Sequence, residues 1–175
     1  MGKLKKGYIQ IYTGDGKGKT TAALGLALRA AGFGMKIFIA QFIKGRKYSE
    51  IKALSKFSEN ITVKQYGRGC FIMREPEEKD YVFAEKGLAE IKEIVFGGLY
   101  DLIILDEINI ALQLELIKTQ DLMDIMTGKP ENVELILTGR GADKDIIEKA
   151  DLVTEMKEIK HYYKKGVLAR TGIER

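Results

Sequence analysis

The chain of 175 residues has no tryptophan, a single cysteine, a single histidine and only two prolines. A lone thiol, Cys70, cannot close an intramolecular disulfide, which points to a reducing compartment, the cytoplasm, and makes Cys70 a small packing residue. A lone His161 with no cluster of partner ligands reads as a surface or packing residue, not a metal ligand. No apolar run approaches transmembrane length, so no membrane partner is expected. The basic start, Met1 to Lys6, leads into a stretch that Gln10 interrupts and a glycine loop closes, so the core of a signal peptide is missing; Lys6 also breaks the myristoylation pattern. Charge of one sign is missing too: 29 Lys and Arg against 25 Asp and Glu give a net +4, which is no nucleic-acid signature. Internal repeats and low-complexity segments are absent as well. What remains, 45% hydrophobic and 31% charged positions, suits a single domain spanning residues 1–175.

The strongest positive signal is Gly14-Asp15-Gly16-Lys17-Gly18-Lys19-Thr20-Thr21, set between a strand-like run, Tyr8 to Tyr12, and a helix rich in Ala and Leu, Ala22 to Ala31. Glycines let successive N–H groups converge on one anion, and the helix N-terminus adds partial positive charge. Polyphosphate is the natural occupant, with Lys19 reaching terminal oxygens and the Thr20 hydroxyl placed to ligate Mg²⁺. Thr13 stands where the usual phosphate-loop pattern has glycine. The second signal is Asp101 to Glu107, an apolar strand ending in two acids, the Walker B arrangement. There Asp106 would hold the metal, usually through water, with Glu107 beside it; capping of the next helix is the alternative for Asp106.

Between and after these motifs strands and helices alternate. Met35 to Phe42 reads as a buried strand, Ser49 to Phe57 as a short helix, and Ile61 to Tyr66 as an alternating strand. Glu77 to Phe96, Ile108 to Leu116 and Thr119 to Met126 follow as helices, Val133 to Leu137 as a strand, Asp143 to Ala150 as a helix and Leu152 to Met156 as a last strand. The expectation is a three-layer α/β fold of the P-loop NTPase type, a mostly parallel sheet with helices on both faces. Two strand candidates separate the loop strand from the Asp-Glu strand in sequence, leaving room for a strand inserted between them in space, as in RecA-like folds; the order stays open. Ligands in such sheets bind at the C-terminal strand edge, where Lys44, in a basic loop after the second strand, and Arg140, in Thr138-Gly139-Arg140-Gly141, would join the glycine loop. For Lys44 a solvated turn competes with a phosphate or carboxylate contact. The irregular stretch Gly67 to Pro76 carries an apolar patch around Phe71, read either as a ligand contact or as a loop tucked into the core.

Tyr12 to Ala23, with Thr at position 13, resembles the loop of the P-loop ATP:corrinoid adenosyltransferases, and the similarity continues through Arg29, Gln41 to Gly45, Leu105 to Glu107, Thr138 to Gly141, and Lys160-His161 to Gly172-Ile173. The resemblance implies that cob(I)alamin or a related reduced corrinoid attacks C5′ of ATP and expels triphosphate, with ATP bound in reverse relative to other P-loop enzymes. It also implies that Thr13, Gly14, Asp15, Gly16, Lys17, Gly18, Lys19, Thr20 and Thr21 hold the nucleotide together with Arg29, Lys44 and Arg140. Thr20 would serve the metal, Asp106 and Glu107 the metal or the positioning of the ribose, and Lys19 and Glu107 the chemistry. Phe71 would pack beneath the corrin in place of the family's aromatic residues, which include a tryptophan missing here. The N-terminal segment that covers the corrinoid in longer homologues is expected to be missing. A homodimer and a flavoprotein reductant complete the implied set. The rival classes are a P-loop hydrolase that uses Glu107 to activate water, and an ATP-sensing module without turnover.

Overall fold

The structure is a computed structural model that describes residues 4–45, 49–67 and 76–174. Its centre is a six-stranded sheet of β1 (Ile9–Thr13), β2 (Ile37–Phe42), β3 (Ile61–Tyr66), β4 (Leu102–Asp106), β5 (Glu134–Thr138) and β6 (Leu152–Glu155), in the order β3-β2-β4-β5-β1-β6. All five pairings are parallel. A parallel sheet needs both faces covered, which explains why β2 and β4 are buried at every position.

Successive side chains along each strand point to opposite faces, and two apolar clusters divide accordingly. On one face Ile37, Ile39, Leu102, Ile104 and Ile136 meet Ala23, Ala27 and Ala30 of α1 (Lys19–Phe33) and Leu54 of α2 (Ser49–Leu54). On the other, Phe38, Ala40, Ile103, Leu105, Leu135 and Leu137 meet α3 (Glu78–Phe96), α4 (Ile108–Gln113), α5 (Thr119–Gly128) and α6 (Lys144–Lys149). The alanine row of α1 lets its backbone lie close to the sheet, and Gly34, left-handed at φ 91°, ends the helix by donating to the carbonyls of Ala30 and Ala31.

The expected three layers are therefore present, and a strand does separate β1 from β4 in space. It is β5, which follows both in sequence, and neither of the two candidates between them. In-register pairs then align the strand ends: Gln41 lies opposite Asp106, Leu105 opposite Leu137, and Tyr12 opposite Thr138. Four C-terminal strand ends thus converge on one edge. The edge strand β6 is exposed at all four positions. No helix among the described residues is long and apolar enough to cross a membrane.

Candidate functional site

The glycine loop leaves β1 at Thr13 and enters α1 at Lys19, with Gly14 at φ 92° and Gly18 at φ 115°, values that L side chains rarely adopt. Space is as restrictive as conformation. A Cβ at Gly16 would meet the Met156 carbonyl oxygen at 2.7 Å, and that same oxygen accepts from Gly16 N–H at 2.6 Å. Lys19 is buried at 8% exposure, its ammonium donating to the Gly14 and Gly16 carbonyls at 2.6 and 2.8 Å. Burial first, and then the nearby Arg140 charge, pull its pKa below the ordinary lysine value against the opposing pull of Glu107 and Asp15.

Asp106, fully buried at the end of β4, is the hub of the edge. Its Oδ1 accepts from the hydroxyls of Thr20 (2.8 Å) and Thr138 (2.7 Å), and its Oδ2 from Lys44 Nζ (2.8 Å) and Gln41 Nε2 (3.2 Å). Four donors fill the acceptor capacity of one carboxylate. The Thr20 contact joins Asp106 to the loop hydroxyl expected at the metal, the arrangement through which Asp106 would serve an ion by way of water. Capping of α4 is not its role, since Glu107 occupies the N-cap position. Lys44 follows Ile43, a β-branched residue held left-handed at φ 64°, and its N–H closes a tight turn onto the Phe42 carbonyl at 2.6 Å. That turn folds Lys44 back over the sheet edge, so it is a buried carboxylate contact and not a solvated loop. Burial pulls the Lys44 pKa down, but the charge and hydrogen bond of Asp106, with Glu107 behind them, outweigh it and hold the ammonium above its usual value.

Glu107 is the second non-glycine residue in left-handed conformation at this edge, at φ 61°. Its N–H donates to Thr138 Oγ1 at 3.0 Å. Burial raises its carboxyl pKa, Asp106 raises it further, and Lys44, Lys19 and Arg140 oppose the shift. A strained backbone at a half-buried acid is the kind of local cost that structures retain at working sites.

Two cavities share this edge. One of about 280 Å³ is lined by Asp15 to Thr21, Glu107, Ile110 and Arg140; the other, of about 820 Å³, lies between α1, α2 and residues 169–174. Thr20, Thr21 and Glu107 line both. Arg140 reaches across the smaller one to Asp15, Nη1 to Oδ1 at 3.6 Å. Thr20 and Glu107 present oxygen donors at the junction; the Thr20 hydroxyl gives its proton to Asp106 and accepts from Lys44 Nζ at 3.3 Å, which leaves one lone pair for a ligand. Such hard donors, one or two per ion, suit Mg²⁺ shared with phosphate oxygens. Among the described residues no cluster of three or more His, Cys, Asp or Glu forms an all-protein metal cage.

Not every expected residue arrives. Thr13 spends its hydroxyl on Ala142 N–H at 3.2 Å, bracing the turn that carries Arg140. Arg29 is exposed and lines neither cavity, although Leu28 beside it lines the larger one. Phe71 and Cys70 lie outside the described residues. Conversely, Gln41, Thr138, Tyr162 and Glu174 take part without having been singled out. Gln41 did carry a signal, as the one amide in an otherwise apolar strand. Glu174 carried none.

Residues 5–175 match the family described as ATP:corrinoid adenosyltransferase BtuR/CobO/CobP. A corrinoid adenosyltransferase of Sinorhizobium is 36% identical, the alignment covering 97% of this chain and 81% of that one. One of Pseudomonas aeruginosa is 33% identical, with 97% and 84% covered, and one of Salmonella typhimurium 31% identical, with 97% and 86% covered. Among solved structures, a KaiC-like protein of Pyrococcus horikoshii superposes at a TM-score of 0.60 with 19% identity, covering 98% of this chain and 77% of its own, a likeness of fold alone. With the family matched over nearly its whole length, the chain belongs to the ATP:corrinoid adenosyltransferases of the BtuR/CobO/CobP family.

Proposed function

We propose that the protein transfers the 5′-deoxyadenosyl group of ATP to the cobalt of a Co(I) corrinoid and releases triphosphate. The observation that carries this reading is the joining of the two cavities through Thr20, Thr21 and Glu107. A polyphosphate in the loop would then place the rest of the nucleotide in a space large enough to admit part of a second substrate. The Co(I) electron pair forms the new bond to C5′, the C5′–O bond breaks, and its electron pair leaves with the triphosphate, so charge builds on the leaving group. Lys19 and the loop N–H groups other than that of Gly16, which Met156 holds, would stand where that charge develops, and a preorganised donor of this kind contributes on the order of a hundredfold or more in rate. Asp106 keeps the Thr20 hydroxyl oriented, and Thr20 and Glu107, with Asp106 through water, would hold Mg²⁺. When bound, that ion supplies charge neutralisation to the phosphates. Lys17 and Arg140 add cations at the mouth of the smaller cavity.

No proton is moved in this reaction, so a general base is not required. Product analysis with ATP, Mg²⁺ and chemically reduced cobalamin tests the proposal: triphosphate and a light-sensitive corrinoid are expected, whereas orthophosphate without a corrinoid product would overturn it in favour of a hydrolase. Glu107→Gln sharpens the choice, since a hydrolase loses water activation and an alkyl transfer keeps part of its rate. The family also suggests a homodimer, a cytoplasmic location, a single catalytic domain and a flavoprotein as the electron donor that supplies Co(I).

A further inference from the structure

The segment that follows β6 folds back over the glycine loop and is fastened there by one carboxylate. Glu174 Oε1 lies 2.7 Å from Lys17 Nζ and 3.1 Å from Arg170 Nη2, and it also accepts from the Tyr162 hydroxyl. Glu174 Oε2 accepts from Arg170 N–H at 2.8 Å. Tyr162 Oη takes a further hydrogen bond from Lys17 at 2.7 Å, and a 3₁₀ turn over Tyr162–Lys165 fixes that ring's place, with His161 Nδ1 accepting from Tyr163 N–H. The two cations, helped by the tyrosine, hold the Glu174 carboxyl well below the usual carboxylate range.

The position of this cluster gives it a consequence. Lys17 lines the smaller cavity, and Glu174 lines the larger one beside Ala169, Gly172 and Ile173. The pair therefore sits on the seam between them, and the wall formed by residues 169–174 is tied to the loop through it. An anion entering the loop needs the same ammonium that Glu174 holds. We propose that Glu174 is a positioning residue that occupies Lys17 in place of phosphate, so that polyphosphate binding at the loop and closure of the segment 161–174 compete. Departure of the triphosphate then lets Glu174 return to Lys17 and restores the wall. The proposal rests on the assignment of the loop as the phosphate site.

The test uses the full chain, sodium tripolyphosphate as the probe, calorimetry for affinity and hydrogen exchange for the segment. Amides of residues 161–174 are expected to exchange faster when tripolyphosphate is bound than without it. Glu174→Gln is expected to bind tripolyphosphate roughly three- to fivefold more tightly, the range of one exposed ion pair, with its segment already exchanging fast. Tyr162→Phe, which leaves the carboxylate in place, is expected to show a smaller gain in the same direction. Unchanged exchange in the parent on binding, or equal or weaker affinity in Glu174→Gln, would overturn the proposal while leaving the phosphate site standing. Failure of both proteins to bind tripolyphosphate would instead remove the phosphate assignment and this proposal with it.

Discussion

Two lysine–carboxylate pairs of nearly equal length flank the same cavities and differ in almost everything else. Lys44 and Asp106 meet at 2.8 Å with side chains 9% and 1% exposed, while Lys17 and Glu174 meet at 2.7 Å with side chains 44% and 14% exposed. Distance alone would rank them as equals. Burial makes the first a structural commitment, because neither charge has water to fall back on, and leaves the second an exchangeable contact. Between them stands Lys19, buried like Lys44 but held only by loop carbonyls, which makes it a cation in want of an anion.

The comparison breaks most visibly at Asp106. Asp106→Ala would strand a buried ammonium and release the Thr20 and Thr138 hydroxyls and the Gln41 amide, and the expected loss is about 3–5 kcal/mol in urea unfolding. Adding Lys44→Met should recover part of that loss, since an apolar stem in place of a stranded charge removes the larger penalty. A double variant no more stable than Asp106→Ala would show that the hydroxyl network, and not the ion pair, carries the cost. Lys19→Ala comes next, and its effect is on rate: a loss on the order of a hundredfold or more is expected with saturating ATP and little change in melting. An unaltered rate would make the loop a structural turn.

Glu107 offers a pH-dependent version of the contrast. Its carboxyl binds its proton more tightly folded than unfolded, so the folded state gains from it below the ordinary carboxylate value and loses that gain as pH rises through the raised folded value. Glu107→Gln should therefore melt higher than the parent at pH 8 and nearly equally at pH 4. A parent more stable at pH 8 than the glutamine variant would mean that the charged carboxylate is held by favourable contacts and that burial does not govern it.

How much of this was legible in the sequence follows the range of each interaction. The glycine loop and the acid-terminated β4 could be read because spacing and apolar runs are local, and the alternation of strands and helices placed the twelve principal elements of the described residues within a few residues of their observed bounds. The insertion of β5 could not be read, because parallel pairing is decided by packing of elements far apart in sequence. Lys44 was recognised as a candidate but not its partner, since the turn that aims it depends on a strained Ile43 that propensity would never place there. Arg29 rests on resemblance alone, which carries a residue type, while the phase of α1 leaves it exposed outside both cavities. Residues 161–174, mixed in Lys, Tyr and Gly, have no period from which an element or the Glu174 contact could be read, and only the resemblance at His161 and Gly172-Ile173 marks them.

The smallest expected effect separates the two pairs most cleanly. Raising NaCl from about 0.05 to 1 M shortens the screening length to about 3 Å, which weakens a contact with a water-exposed cation and scarcely touches one sealed beneath the sheet edge. Lys17 is the exposed partner, so the fastening of the segment to the loop should loosen with salt, and amides in residues 161–174 should exchange faster. Amides of β4, which ends at Asp106, should keep their protection over the same range. Because chloride also competes for an exposed ammonium, the experiment is repeated with Glu174→Gln, in which the pairs to Lys17 and Arg170 are gone and the Lys164–Glu158 pair remains, so exchange should be fast and its salt response much smaller. An undiminished salt response in Glu174→Gln would place the sensitivity elsewhere in the segment, and a loss of protection in β4 would show that the Asp106 network is more open to solvent than its burial implies.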